Sequence, residues 1–436
     1  MRIIRAFVAA AAGLTVAAAG VSVWSAAALA DQHDAIWVSG APTVAGGGTS
    51  CAQPGYNTIQ AAISAAPSRA TIRVCQGTYA EQLQITSPVT IQGVGTVIVE
   101  LPATPANSST ACDTALGTGS YQPDQDGVAI CGIGTVRLIH LTIDAAWPSG
   151  TCDDSLYGIL VGGGATLRFV DSTVTAAGAQ PINGCQGGIA IQDGMAWTTP
   201  VEVGHLVTED SSISGYQKNG ISADGAGSTA VISDTTVTGA GATPAIAQNG
   251  IQVSNGAKAQ VLYSKITGNE CDVSVCGPNG LTQTQSTGLL LYGAARGTTV
   301  ANSTIAGNDI GVYYSANPGG AAPTQQEVFI VRDRLSGNRY EGVVLDQGSA
   351  DVSHCTFKWG NVGIQVLQYS GQTFGSKSFA SYNRFRHMHV ATVQVLSDNA
   401  ASGDLQGSFT IIRSEIDTAP VLDNSTNLPI IRRFDY

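Results

Sequence analysis

Apolar residues alternate with other residues in short runs along most of the chain. LRFVDSTVTAAG from Leu167, AVISDTTVTGAG from Ala230, QVLYSKITGN from Gln260, TVANSTIAGN from Thr299 and ADVSHCTFKWGN from Ala350 share one form. β-Branched residues at alternate positions, bounded by Gly, Asn and Ser, predict strands joined by tight turns. A second phrase recurs as DGVAI at Asp126, YGILV at Tyr157, GGIAI at Gly187, NGISA at Asn219 and NGIQV at Asn249. It continues as TGLLL at Thr287, IGVYY at Ile310, EGVVL at Glu341 and VGIQV at Val362. The glycine of this phrase returns at intervals of roughly 20 to 40 residues, the spacing of stacked repeats. Each repeat thus holds two or three short strands and no helix. A β-propeller would need about 40 to 50 residues and four strands per blade, more than the intervals allow.

Such repeats cannot bury an apolar face alone. Stacked as coils, they pair each strand with its counterpart one coil above and share one interior. One inward column then reads Ile159, Ile189, Ile221, Ile251, Leu289, Val312, Val343 and Ile364. A column of mostly small polar residues sits at a bend: Ser172, Ser211, Thr235, Ser264, Ser303, Asp333, Cys355, Asn383 and Ser414. Residues of that kind hydrogen-bond one another and nearby backbone. Nine coils at about 4.8 Å each give a rod core roughly 40 Å long. At the front, Asn57 is placed to cap a short helix carrying Ile59 and Ile63 on one face, ended by Pro67. That helix would plug the first coil.

Composition sharpens this picture. Only 12% of the 436 residues are charged, and 53 are glycine. The hydrophobic fraction of 43% argues against disorder, and the scarcity of charge argues against a coiled coil. A net charge of −11 makes a nucleic-acid partner unexpected. Arg2 and Arg5 precede an apolar run from Ala6 to Val23, and Ala28-Leu29-Ala30 offers small residues for cleavage. This is the pattern of a secretory signal peptide. No later run is long enough to span a membrane. An oxidising destination fits the nine cysteines. Proximity pairs Cys51 with Cys75, Cys112 with Cys131, Cys152 with Cys185 and Cys271 with Cys276, leaving Cys355 as a buried thiol.

TIQAAISAAPSRATIRVCQGTYAEQLQITSPVTIQG, from Thr58 to Gly93, resembles the opening of secreted right-handed parallel β-helix proteins. These form the pectin-lyase-like superfamily, which includes pectin methylesterases, and the resemblance covers about residues 55–420. It implies an all-β fold, a single-stranded right-handed parallel β-helix with an N-terminal capping helix. The expected organisation is a signal peptide at 1–30, an N-terminal extension at 31–54, the β-helix at 55–394, and an irregular last coil and tail at 395–436.

Insertions at Ala145–Leu156, Ala177–Gly187, Ala240–Gln248 and Asn269–Ser286 precede the second phrase, and together they could wall a groove. The resemblance implies that such a groove receives a polysaccharide. Strand alternation puts Gln192, Asp224, Gln252, Ser254, Tyr292, Tyr313, Ser315 and Asp346 on its floor. Amides, hydroxyls and aromatic rings suit sugar rings.

Catalytic groups are harder to find. Asp224 and Asp346 lie four coils apart, roughly 19 Å at sheet spacing, too far for a glycosidase pair. Asp153 and Asp154 resemble the double aspartate of polygalacturonases, but the accompanying Gly-His-Gly is missing. The methylesterase motifs Gly-Arg-Pro-Trp and Asp-Phe-x-Phe-Gly are also missing, so that likeness stops at the first coil. Asp171, Asp210 and Asp234 form one column, with His140 below and Asn302 above. Ca²⁺ could relieve their repulsion, but Asp before Ser or Thr at a bend more often bonds backbone. His387 and His389 alternate along a strand and read as a surface patch. The expected function is a secreted monomer that binds, and cleaves or modifies in a lyase-like manner, an extracellular pectin- or uronate-like polysaccharide. The alternative is a non-catalytic matrix scaffold or adhesin-like rod.

Overall fold

A computed structural model describes residues 35–106, 124–147, 155–276, 286–316, 327–346, 348–368, 377–397, 408–416, 419–425 and 431–434. Among them, one sheet of 23 strands and one of 12 carry the fold, and every neighbouring pair in the two sheets is parallel. A representative coil runs from Asn219–Asp224 in the twelve-stranded sheet to Thr229–Ser233 and Thr236–Thr243 in the larger one. The next coil repeats this with Asn249–Ser254, Lys258–Leu262 and Lys265–Cys271, paired in register with the coil before except for one register shift between Thr238 and Gly241. This is the parallel β-helix that the repeats predict. Strands Ser408–Ile412, Val421–Ser425 and Ile431–Phe434 pair onto the same two sheets.

The interior is one apolar cluster extending from Ile36 to Ala419. Its columns follow the strand register: Ile159, Ile191, Ile221, Ile251, Leu289, Val312, Val343 and Ile364 lie side by side. Sequence reading puts Ile189 in this column, and the register corrects it. Ile189 pairs with Tyr157 and Asn219 on the outward face, and Ile191 takes the inward place. The phrase GGIAI caused the slip. Gly188 belongs to the preceding turn, where its φ is +84°. The repeat glycine is replaced in this coil by Ala190, whose carbonyl oxygen lies 2.6 Å from where a Cβ on Gly158 would stand. Gly220, Gly250 and Gly311 meet the next coil's carbonyl equally closely, so a side chain there would force the sheet apart.

One residue between the paired strands of the larger sheet turns each coil in the left-handed region. These corner residues are His140, Asp171, Asp210, Asp234, Tyr263, Asn302, Arg332, His354, Tyr382 and Arg413, all with φ near +50°. From Asp171 onward, the inward residue after each is the small polar column. Ser172 Oγ accepts from Leu141 N at 3.1 Å, Ser264 Oγ from Thr235 N at 3.2 Å and Asp333 Oδ1 from Ser303 N at 2.7 Å. Asn383 Oδ1 accepts from Cys355 N at 2.8 Å. The ladder thus satisfies backbone groups that the corner withdraws from the sheet.

A second ladder stands at the other end of these strands. Asn269 Nδ2 donates to Asn308 Oδ1 at 2.9 Å, and Asn308 Nδ2 donates to Asn338 Oδ1 at 3.1 Å. Tyr216 is buried beside it and donates its hydroxyl to Asn269 Oδ1 at 2.5 Å.

The front helix is Ile59–Ala65. Thr58, not Asn57, is its N-cap, and Thr58 Oγ1 accepts from Ala61 N at 3.2 Å. Glu81 takes the first two helical N–H groups, Ile59 N at 2.8 Å and Gln60 N at 2.9 Å. Disulfides join Cys51 to Cys75 and Cys271 to Cys276. Cys131 and Cys185 are also disulfide-bonded, while Cys112 and Cys152 lie outside the described residues. Cys355 is a free, buried thiol, and burial pushes its ionisation up. No helix among the described residues is long and apolar enough to cross a membrane.

Candidate functional site

The outward face of the twelve-stranded sheet carries three rows. The middle row reads Gln192, Ser222, Gln252, Leu290, Tyr313, Val344, Gln365 and Gln394 across successive strands. A second row places Asp224, Ser254, Tyr292, Ser315, Asp346 and Leu367 side by side. The third holds Asn219, Asn249, Thr287, Ile310 and Glu341.

Most of these groups bind one another. Asp224 Oδ1 accepts from Ser254 Oγ and Asn255 Nδ2, both at 2.7 Å, and its Oδ2 accepts from Ala196 N at 2.7 Å. Gln252 Nε2 donates to Ser254 Oγ at 3.1 Å, and Asn219 Nδ2 donates to Gln252 Oε1 at 3.1 Å. Asn249 bridges Asn219 at 3.0 Å and Thr287 at 2.8 Å. Gln192 donates to Gly194 O at 2.6 Å. Gln192, Asp224, Ser254, Ser315 and Asp346 are all buried. Alternation thus locates the outward side of a strand without telling whether that side is open.

The face opens near its middle. Gln252, Leu290 and Tyr313 are half-buried, and Tyr292 is 38% exposed. Tyr313 donates its hydroxyl to Asp346 Oδ2 at 2.7 Å. Hence Gln252, Tyr292, Tyr313 and Asp346 are brought together across four neighbouring coils. Asp224 and Asp346 stay four strands apart in the sheet order, about 19 Å, and do not form a pair. Two insertions beside this face are pinned by glutamines. Gln217 Oε1 accepts from Ala179 N at 3.2 Å and Asn183 N at 3.3 Å, and Gln248 Oε1 accepts from Ala240 N at 2.8 Å. Asp153 and Asp154 lie outside the described residues, as do parts of the other two insertions.

Three buried carboxylates escape sequence reading. Asp309 Oδ2 accepts from Cys271 N at 2.9 Å and Ser286 N at 3.0 Å, and its Oδ1 meets Arg339 at 2.6 Å. Burial nevertheless raises its pKa. Glu341 lies one coil on, paired with Ile310. Burial, helped by the charge of Asp309, pushes it up to about 8. Asp193 points inward between Val161 and Ala223, and burial raises it well above the carboxylate range. The signal for Asp193 was one charge in a column of apolar residues, hidden by the misplaced glycine. All three are too enclosed to meet a polymer.

Asp171, Asp210 and Asp234 do share one straight column. Its basis is conformational: each occupies the left-handed corner, which Asp tolerates better than most residues. Asp171 Oδ2 meets His140 Nδ1 at 3.1 Å. Among the described residues no three His, Cys, Asp or Glu side chains converge as metal ligands. His387 is exposed and stacks on Trp359, with ring centroids 6.3 Å apart, and His389 is exposed beside it.

Comparison with known proteins agrees with this architecture. The family described as right handed beta helix region matches residues 157–379. No curated protein matches the sequence. The Agl-KA catalytic domain superposes with a TM-score of 0.51 at 12% identity, covering 85% of this chain and 64% of that one. The periplasmic alginate epimerase AlgG gives 0.48 at 10% identity, covering 90% and 85%. The A-module of the Azotobacter vinelandii mannuronan C-5 epimerase AlgE4 gives 0.49 at 14% identity, covering 86% and 94%. At these identities the likeness is one of fold. With its stacked three-strand coils and a family match over just more than half its length, the chain belongs to the right-handed β-helix family.

Proposed function

We propose that the protein is a secreted, monomeric polysaccharide-binding rod that holds its ligand across the twelve-stranded sheet. The observation that carries this is the central opening, where Tyr292 and Tyr313 stand beside Gln252 on successive coils. Aromatic rings with an adjacent amide and hydroxyl match the apolar faces and hydroxyl edges of sugars. Fold neighbours that include two alginate epimerases agree in substrate class. The N-terminal apolar run and the disulfides support secretion.

Cleavage or modification of the bound polymer would fall to the Tyr313–Asp346 pair, the titratable contact at this opening. The scaffold reading is favoured by a different observation: the other floor carboxylate, Asp224, spends both oxygens on protein partners.

A panel of soluble polysaccharides, read for binding, new reducing ends and unsaturated products, tests the proposal. Wild-type protein should bind at least one polymer. Tyr292→Ala should weaken that binding about tenfold, as loss of roughly 1.4 kcal/mol of ring contact requires. No binding to any polymer would refute it.

A further inference from the structure

On the larger sheet, the last coils carry a surface unlike the rest of the rod. In the larger sheet, strands Arg334–Ser336, Thr356–Lys358 and Arg384–Arg386 pair in register. Arg334, Thr356 and Arg384 form one outward column, and Ser336, Lys358 and Arg386 form the next. Earlier coils place Ser212 with Ser214, Thr236 with Thr238, Lys265 with Thr267, and Thr304 with Ala306 at these positions. A strip that is mostly hydroxyl becomes basic.

The left-handed corner beside it changes in the same direction. It carries Asp171, Asp210 and Asp234 on the early coils and Arg332, His354, Tyr382 and Arg413 on the late ones. The next corner holds Gly268, Gly307 and Gly337 and then Trp359 and His387. Six arginines and lysines thus converge on a chain whose net charge is −11. Glu415 is the carboxylate among them, bound by Arg384 at 2.9 Å and Arg386 at 2.5 Å.

The aromatic rings are stacked on their neighbours. His354 and Tyr382 stack on each other at 4.9 Å with planes 3° apart. Trp359 has His387 on one side and lies 3.7 Å from Lys358 Nζ. Rings so engaged have less free face to offer nucleobases, which bind by stacking. What the surface presents is ring edges and guanidinium groups, with Arg384 and Arg386 sharing Glu415 and Arg413 lying over Tyr382, on coils about 4.8 Å apart. Guanidinium groups match carboxylates in shape and charge. The Arg384–Glu415 pair displays that match within the protein.

We infer that this basic face of the last coils is a second contact surface, and that its ligand is a uronate polysaccharide carrying one carboxylate per sugar. This rests on the polysaccharide-binding reading and extends it to a different face and a defined ligand charge. The full chain would be titrated with polygalacturonate, dextran and a thymidine oligonucleotide at two salt concentrations. The same titrations would be made on Arg334→Gln/Lys358→Gln/Arg386→Gln/Arg413→Gln and on its counterpart with the three arginines changed to Lys.

The Gln variant should lose at least tenfold in polygalacturonate affinity and most of the salt dependence, while the Lys variant keeps the larger part of both. Dextran binding should not change. Undiminished uronate binding by the Gln variant overturns the inference, and so does oligonucleotide binding as tight as uronate binding. A salt-sensitive dimer that the Gln variant abolishes also overturns it, because the acidic corner of a second copy would then be the partner. If uronate binding is lost in Tyr292→Ala alone, the inference fails and the polysaccharide reading stands. If no polymer binds the wild type, both fail.

Discussion

Glu341 and Asp333 are carboxylates whose proton affinity burial raises toward neutrality. Burial pushes Glu341 up to about 8 and Asp333 up to about 7, against ordinary values near 4. Both folded values lie above the unfolded ones, so the folded state binds more protons and its stability falls as pH rises. The contribution is full below about pH 4 and declines up to pH 7 for Asp333 and pH 8 for Glu341. Thermal midpoints should therefore drop between pH 5 and pH 8. Asp333→Asn keeps the acceptor for Ser303 N, a role Asn383 already fills at the same column. It should flatten the decline and raise the midpoint at pH 8 by about one degree, as a gain of about 1 kcal/mol does in a chain of this length. Melts followed by circular dichroism across this range would test it; an unaltered slope would show that Asp333 titrates as an ordinary carboxylate. Asp193, enclosed among apolar residues, should behave likewise when changed to Asn.

At the scale of the strand and its turns, the sequence is legible where a periodic rule acts. Alternation, the repeated glycine and the Ser-Thr phrase set strand direction and the small polar column, since each coil applies one rule at a fixed offset; the nine repeated phrases undercount the coils, because the smaller sheet has twelve strands. Three features were beyond such rules. The slip at Gly188 arose because a turn glycine and a strand glycine look alike in one coil. The Asn269–Asn308–Asn338 ladder had a signal, the Gly-Asn step closing three successive phrases, but its bonds join residues 30 and 39 positions apart. The enclosure of Asp224 and Ser254 depends on neighbouring coils, which alternation does not describe. The ladder also makes a prediction. Asn308→Ala removes the acceptor of Asn269 N, 3.1 Å away, and the donor to Asn338. Leaving buried amides unpaired should cost about 2–4 kcal/mol, measurable as a lower denaturation midpoint. Asn308→Asp keeps the acceptor and, protonated at about pH 4, can also donate, so it should lose less there. Equal losses in the two variants would assign the cost to packing.

Over the whole molecule, coils stabilise one another only through neighbours, so the ends are the vulnerable places. The first coil has Ile59–Ala65 laid against it, with Ile59 and Ala62 buried in the same cluster as Ile36, Val38 and Ile72. Seven residues are too few to hold a helix in water, so the plug depends on its anchors. Thr58 supplies one bond, and Glu81, from the turn after Thr71–Ala80, supplies two. Glu81→Ala should therefore release the plug more readily than Thr58→Ala, whose loss is about 1 kcal/mol. Released, the helix uncovers apolar side chains and parallel strand edges that can pair with another rod. The expected result is concentration-dependent association of Glu81→Ala in light scattering, with faster amide exchange in Ile72 and Val74 than in Ile251 and Val253. A variant that stays monomeric with uniform exchange would mean that the first coil is stable uncovered, and that the helix decorates the rod without closing it.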